Sequence, residues 1–335
     1  MPDIARRKLS RRRLLAGSSV IGAGIIGGAP FVGALMAKAP VTNSQAPYFY
    51  RFRIGGIEAS IVSDGTLPLG EPSTTFIGAS KDEIGKLLTD NFLPAESVTL
   101  EQNALVLNTG DRLILIDNGM GASTMFGPTT GRLLSSLKAA AIDPKDIDAL
   151  VITHAHCDHC WGTMADDGSR NFPNAQIFIS QADYDFWTEE AKLTIQEPAY
   201  MKVFIEGTRK NLVPNRDRIV FVRDGQEFLP GIQAIATPGH TVGHTIYMVT
   251  SQGRSLAVVG DLTHHQVLLI ERPRLEFAYD TDPKQSANTR VRILDMLAAQ
   301  RIPLLAYHFS WPGIGHVAKH GQGFRYFPSP MQMML

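Results

Sequence analysis

Within six residues, His154-Ala155-His156-Cys157-Asp158-His159, the chain sets three imidazoles and one carboxylate. Directly before them runs Ala149-Leu150-Val151-Ile152-Thr153, an apolar stretch that predicts a buried strand. A tight turn at the end of such a strand aims all four side chains at one point, and each polar head needs a partner once buried. Imidazole nitrogen and carboxylate oxygen suit zinc or a neighbouring first-row metal. The stretch therefore predicts a metal site rather than a solvated His-rich loop.

Three more segments carry ligand-type residues at the ends of expected strands. Thr237-Pro238-Gly239-His240 follows Ile232–Ala236, Gly260-Asp261 follows Ser255–Val259, and His308 follows Pro303–Tyr307. Each is ordinary alone; in this order behind the His-rich turn they extend one site carried by loops on a rigid scaffold. The elements that must position them are legible from alternation and turn residues. Residues 48–54 and 57–62 read as a hairpin around Gly55-Gly56, residues 105–108 and 113–116 as a second pair, with further strands at 176–179, 218–222 and 244–250. Helices are expected near 81–88, over 131–141, from Gln181 and over 285–299. Two strand-rich halves, each closed by helices, predict an α/β fold of two sheets packed face to face with helices outside. Residues 66–96, rich in Pro, Gly, Ser and Thr, are expected to form part of a pocket rim.

The 335 residues suit one large domain, expected over 40–335, and no short repeat or linker divides it. Net charge is zero, but the first 39 residues hold seven Lys/Arg and one acid, leaving the remainder near −6. That balance and the lack of a basic stripe argue against nucleic acid. Ser10-Arg11-Arg12-Arg13-Leu14-Leu15 and the Gly/Ala-rich apolar stretch to Ala37 resemble a twin-arginine export signal over 1–39, which predicts a periplasmic or secreted protein. Membrane contact is expected only through that segment if it stays uncleaved. Cys157 and Cys160 are the only cysteines; they either pack under the metal loop or form a bridge.

At this point the chain resembles the metallo-β-lactamase-fold hydrolases. The pieces that carry the resemblance stand in order: Asp117 after an apolar strand, His154/His156/Asp158/His159, His240 in a Pro-Gly-His turn, Gly260-Asp261, and His308. The resemblance implies an αββα sandwich, two mixed sheets face to face with helices outside, and a dinuclear metal site at one edge. It implies that His154, His156 and His240 hold one metal, that Asp158, His159 and His308 hold the other, and that Asp261 bridges them. Asp117 would stand behind the ligands and orient them, with Asn118 after it where the family often has Thr. Two divalent ions, zinc foremost with Mn, Co or Fe also compatible, would share a bridging hydroxide at neutral pH. Asp158 would orient that nucleophile or pass a proton to the leaving group.

The chain has no Cys after position 160, which separates it from the commonest β-lactamase subclass, and only 27 residues after His308, too few for the helical domain of glyoxalase II. It is most similar to methyl parathion hydrolase and its lactonase and aryl-esterase relatives, through residues 126–133, 182–187 and 308–316. That similarity implies a substrate pocket lined by Phe126, Trp187 and Phe204, although Trp187 would equally serve as core on a helix face. The expected function is exported hydrolysis of lactones or aryl esters, with phosphotriesters as a side activity and homodimerisation left open. The alternative is a non-catalytic, metal-containing ligand-binding or sensor protein on the same fold. His244 and His316 are expected to be structural, with His316 in a turn. His264 and His265 are expected behind the ligands, on the pocket wall, or as ligands themselves.

Overall fold

The computed structural model describes residues 48–332 apart from Gln196, Glu197 and Ala199; the export segment expected over 1–39 lies outside the described residues. The first half runs β1 (Phe49–Ile54), β2 (Ile57–Gly70), β3 (Phe76–Ile77), α1 (Lys81–Asp90), β4 (Val98–Asn108), β5 (Leu113–Ile116), α2 (Leu133–Ala139), β6 (Ala149–Val151) and α3 (Cys157–Cys160). It continues with β7 (Gln176–Ser180), α4 (Gln181–Thr188), α5 (Tyr200–Leu212) and β8 (Ile219–Val222). The second half runs β9 (Glu227–Leu229), β10 (Ile232–Ala236), β11 (Thr245–Ser251), β12 (Arg254–Val258), α6 (Leu268–Glu271) and β13 (Glu276–Phe277). It closes with α7 (Pro283–Gln300), β14 (Leu304–Leu305), β15 (Ile314–His320) and β16 (Gly323–Pro328).

One seven-stranded sheet has the order β1-β2-β4-β5-β6-β7-β8 and the other β16-β15-β14-β12-β11-β10-β9. Both are mixed: β5 to β8 pair in parallel in the first, and β12 pairs in parallel with β14 in the second. A small sheet of β3 and β13 ties the two halves together. Strand β4 explains the layering. Leu105 and Leu107 join the apolar core between the sheets with Ile232, Tyr247, Val249 and Val258, while Ala104 and Val106 face α2, α4 and α5 with Leu137, Ile177 and Phe204. A strand covered on both faces reads as a continuous apolar run, as residues 104–107 of β4 do. The second sheet packs its outer face on Ile293, Leu294 and Leu297 of α7. The result is the αββα sandwich.

The expected hairpin at Gly55-Gly56 forms, with Ile54 opposite Ile57. Gly55 has φ +57°, and an added Cβ would lie 2.1 Å from the carbonyl oxygen of Ser251, so both conformation and space demand glycine. Helix α1 starts on a capping box between Ser80 and Glu83, and α7 on the Asp282 carboxylate with Pro283 behind it.

Two elements depart from the sequence expectation. Helix α5 is a full 13-residue helix where none was expected. Its Gly207 weakens the local helix signal, yet a Cβ there would meet the Trp161 ring at 2.1 Å, so glycine lets α5 settle on that indole. Beyond His308, β15 and β16 form an edge hairpin, and His316 is exposed on β15 rather than set in a turn. Only Gly315 and Val317 of its neighbours turn inward, an alternation too short to read beside lysine and glycine. Among the described residues no helix is long and apolar enough to cross a membrane.

Candidate metal centre

Every ligand-type residue named from the sequence leaves the C-terminal end of a strand on one edge of the sandwich. Asp117 follows β5, His154 follows β6, His240 follows β10, Asp261 follows β12 and His308 follows β14. The backbone of His156 is extended (φ −75°, ψ 164°) and caps α3, whose first turn then swings Asp158 and His159 inward. The His156 carbonyl accepts from the His159 and Cys160 N–H groups at 3.2 and 3.1 Å. Two sheets therefore contribute to one cluster.

Within it, Asp261 is central. Its Oδ2 lies 3.2 Å from His240 Nε2, 3.2 Å from His308 Nε2 and 3.7 Å from His154 Nε2, and its Oδ1 lies 3.2 Å from His159 Nε2. Asp158 Oδ2 stands 3.3 Å from His308 Nε2 and 3.5 Å from His159 Nε2, while His154 and His240 bring their Nε2 atoms within 3.1 Å. Atoms bound at ~2.0–2.2 Å to a common ion stand about 3–3.5 Å apart, so these spacings suit shared cations. His154, His156 and His240 form one ligand-sized group and Asp158, His159 and His308 another. His156 Nε2, His159 Nε2 and Asp261 Oδ1 are buried with no hydrogen-bond partner, which is costly unless a cation takes their lone pairs. The residues present fit two divalent metal ions.

The far ring nitrogens are held from behind. His159 Nδ1 meets Asp117 Oδ2 at 2.8 Å, and Asp117 in turn accepts from the Thr153 N–H and hydroxyl at 2.8 and 2.9 Å. His308 Nδ1 meets the Glu101 carbonyl oxygen at 2.8 Å, and His154 Nδ1 the Thr153 hydroxyl at 3.1 Å. Such partners fix ring orientation and tautomer. Asn118 turns away and donates to the Thr163 hydroxyl at 2.8 Å, so Thr153 supplies the hydroxyl on Asp117. Asp183 braces the two ligand loops by accepting from the N–H groups of Ala155 and Gly243 at 2.6 and 2.8 Å. His244 is structural as expected: its Nε2 accepts from the Asp261 N–H at 3.0 Å. Sequence reading missed Asp280, whose Oδ1 meets His240 Nδ1 at 2.7 Å from a segment with no strand-end signal.

Electrostatics divide the imidazoles. Burial pulls His240 and His308 down, but the carboxylates around them outweigh it: Asp261 and Asp280 carry His240 to about 9, and Asp261 and Asp158 carry His308 to about 10. Burial and neighbouring imidazoles hold His154 and His156 well below their usual value. Burial, then the imidazole of His240, takes His244 to about 3, so it stays neutral and accepts as observed.

A narrow cavity opens over the cluster. Asp158, Asp261, Phe126 and Phe204 line it as expected, with Leu67 and Leu69 from the expected rim segment and with Phe277, Tyr279 and Cys157. His264 also lines it. Both its ring nitrogens lack hydrogen-bond partners, its Nε2 is 3.0 Å from Asp261 Oδ2, and its ring stacks on Phe277 at 3.6 Å. His265 instead accepts from the Val267 and Leu268 N–H groups and takes no part. Both cysteines are buried and free, so no bridge forms.

Trp187 corrects the pocket expectation. It is fully buried behind the cavity, edge-on to His156 at 4.8 Å and against Phe204 at 6.2 Å. Trp187→Ala is expected to destabilise the fold by about 3–5 kcal/mol and to lower the thermal midpoint; an unchanged midpoint with altered substrate preference would return Trp187 to the pocket.

Comparison with known proteins agrees with this geometry. Residues 98–303 match the family model described as the metallo-beta-lactamase superfamily. An N-acyl homoserine lactonase of Bacillus thuringiensis subsp. kurstaki is 24% identical over 253 residues, 70% of this chain and 88% of the relative. Among solved structures, the dizinc quorum-quenching lactonase AidC, in complex with a product, superimposes with a TM-score of 0.80 at 28% identity, covering 85% of this chain and 98% of AidC. The hydrolase AbOPH gives 0.80 at 29% identity, covering 86% and 100%. With its ligand-bearing loops gathered at one edge of an αββα sandwich, the chain belongs to the metallo-beta-lactamase superfamily and is a metal-dependent hydrolase.

Proposed function

We propose that this chain is an exported two-zinc lactonase that also accepts aryl esters, and phosphotriesters as a side activity. The observation that carries the reading is the junction of the buried His/Asp cluster with an aromatic and aliphatic cavity, one wall for the metals and the others for an apolar acyl or aryl group. The lactonase relatives support the lactone class, and the Arg-rich start followed by an apolar stretch supports export.

The ligands would be His154, His156 and His240 on one side and Asp158, His159 and His308 on the other, with Asp261 between them. Bound there, the ions would lower the pKa of a shared water towards neutrality and polarise the substrate carbonyl. Asp158 would orient the attacking water and return its proton to the ring oxygen as the ester C–O bond breaks, leaving a hydroxy acid. His264 offers an unpartnered ring nitrogen to a substrate oxygen. Phe204 and Tyr279, 10° from parallel with centroids 6.5 Å apart, favour a flat leaving group, which keeps aryl esters in the class.

The test is metal content per chain together with rates on γ- and δ-lactones, N-acyl homoserine lactones, dihydrocoumarin, p-nitrophenyl acetate and methyl parathion. Two zinc ions per chain and the highest rate on a lactone are expected. Two zinc ions with tight lactone binding and no product would instead favour the sensor reading.

A further inference from the structure

Behind His240 lies an ion pair that the ligand set does not explain. Arg290 of α7 is wholly buried, and its Nη2 donates to the Ser286 hydroxyl at 3.2 Å and stands 3.7 Å from Asp280 Oδ2, while the other oxygen of Asp280 holds His240. The rest of the guanidinium is spent on backbone. Nε donates to the Leu262 carbonyl at 2.9 Å, and Nη1 to those of Pro273 and Leu275 at 2.9 and 2.7 Å. Leu262 adjoins Asp261, and the 273–275 stretch begins the segment that carries Phe277 and Tyr279 into the cavity. The same segment is stitched to the His240 loop, because the N–H groups of Thr281 and Asp282 donate to the carbonyls of His240 and Gly239 at 2.8 and 2.9 Å.

A buried ion pair roughly breaks even against apolar packing, so stability alone gives no reason for it. The contrast with Asp117 is informative: that carboxylate is held by Thr153 and His159 and has no cation behind it. Resting on the two-metal reading, we propose that Asp280 and Arg290 are a positioning pair that locks the His240 imidazole, the Asp261 turn and the Phe277–Tyr279 wall into one unit. Zinc held on the His240 side and substrate held by the wall then depend on the same two side chains.

The experiment is competition for zinc with a chromophoric chelator, read alongside thermal unfolding. It uses wild type, Asp280→Asn, and the double variant Asp280→Ala with Arg290→Met, which leaves no stranded charge. In both variants one zinc dissociation constant is expected to rise ~10–100-fold while the other stays within about threefold, as for loss of a partner behind one ligand. In the double variant, KM for the lactone is also expected to rise more than kcat falls, since the wall loosens. A double variant that unfolds cooperatively and holds both zinc ions like wild type would reduce the pair to packing and overturn the proposal. Equal weakening of both ions would overturn it too, because the pair would then be holding the whole edge. Should either variant fail to fold, the other decides. The readout is zinc alone, so a wild-type chain that binds two ions without turning over lactone would defeat the lactonase reading and leave this one standing.

Discussion

Asp261→Asn is expected to cost at least one metal ion per chain and to lower the rate on the best substrate by on the order of 10³-fold. Five imidazole nitrogens, that of His264 among them, lie within 3.7 Å of its two oxygens, so this carboxylate touches both halves of the cluster. Asparagine keeps the shape but removes a negative charge and turns an N–H₂ group towards the cations. The seven-residue ligand set then drops from two carboxylates to one, against four positive charges on two ions. The change is nearly isosteric and the Asp261 N–H still donates to His244, but the metal-free chain loses the carboxylate that faces protonated His240 and His308, so its unfolding transition should also fall. Elemental analysis and steady-state rates check the result together. Full metal content with an unchanged rate would remove Asp261 from the bridging position.

Metal affinity is expected to fall at least a hundredfold per ion between pH 8 and pH 6, as each displaced proton gives tenfold per pH unit. The proton to be displaced for one ion sits on His240, carried to about 9; for the other, protons sit on His308, carried to about 10, and on His159, which Asp261, Asp158 and Asp117 hold well above its usual value despite burial. His154 and His156, held low by burial, bring no competing proton. Zinc titrations against a chelator of known pH dependence would show this slope, and affinity independent of pH would contradict it.

The metal-free chain follows the opposite trend in stability. For His308, raised from 6.5 to about 10, the contribution is fully present below pH 6.5 and is lost as pH rises through about 10. Asp261, which the imidazoles of His159, His308 and His264 hold well below the usual carboxylate value of 3.8 despite burial, adds stability that is present above that value and lost in acid. Buried neutral His154, His156 and His244 act against this in acid, because only their unfolded forms take up protons below pH 6.5, so stripped protein should be most stable near pH 6.5 and lose stability above it while metal affinity rises.

The ligand set was legible because it is local. An H-x-H-x-D-H turn behind the apolar run 149–153, and single His or Asp residues at the ends of β10, β12 and β14, announce themselves through residue type and the period of the preceding strand. Strand periodicity also carried the layered fold, since a run such as Leu105-Val106-Leu107 is apolar on both faces only when both are covered. Other features depended on which surfaces meet. Asp280 and Arg290 sit in unremarkable local sequence and acquire meaning only when α7 packs under the His240 loop. His264 was one of two adjacent histidines after Asp261, and only the turn after β12 separates it, facing the cavity, from His265, facing its own backbone. Trp187 was read as pocket because a sequence records that a helix face is apolar and not what lies against it. Across from that face the chain placed His156 and Phe204, and the indole became the support behind a ligand.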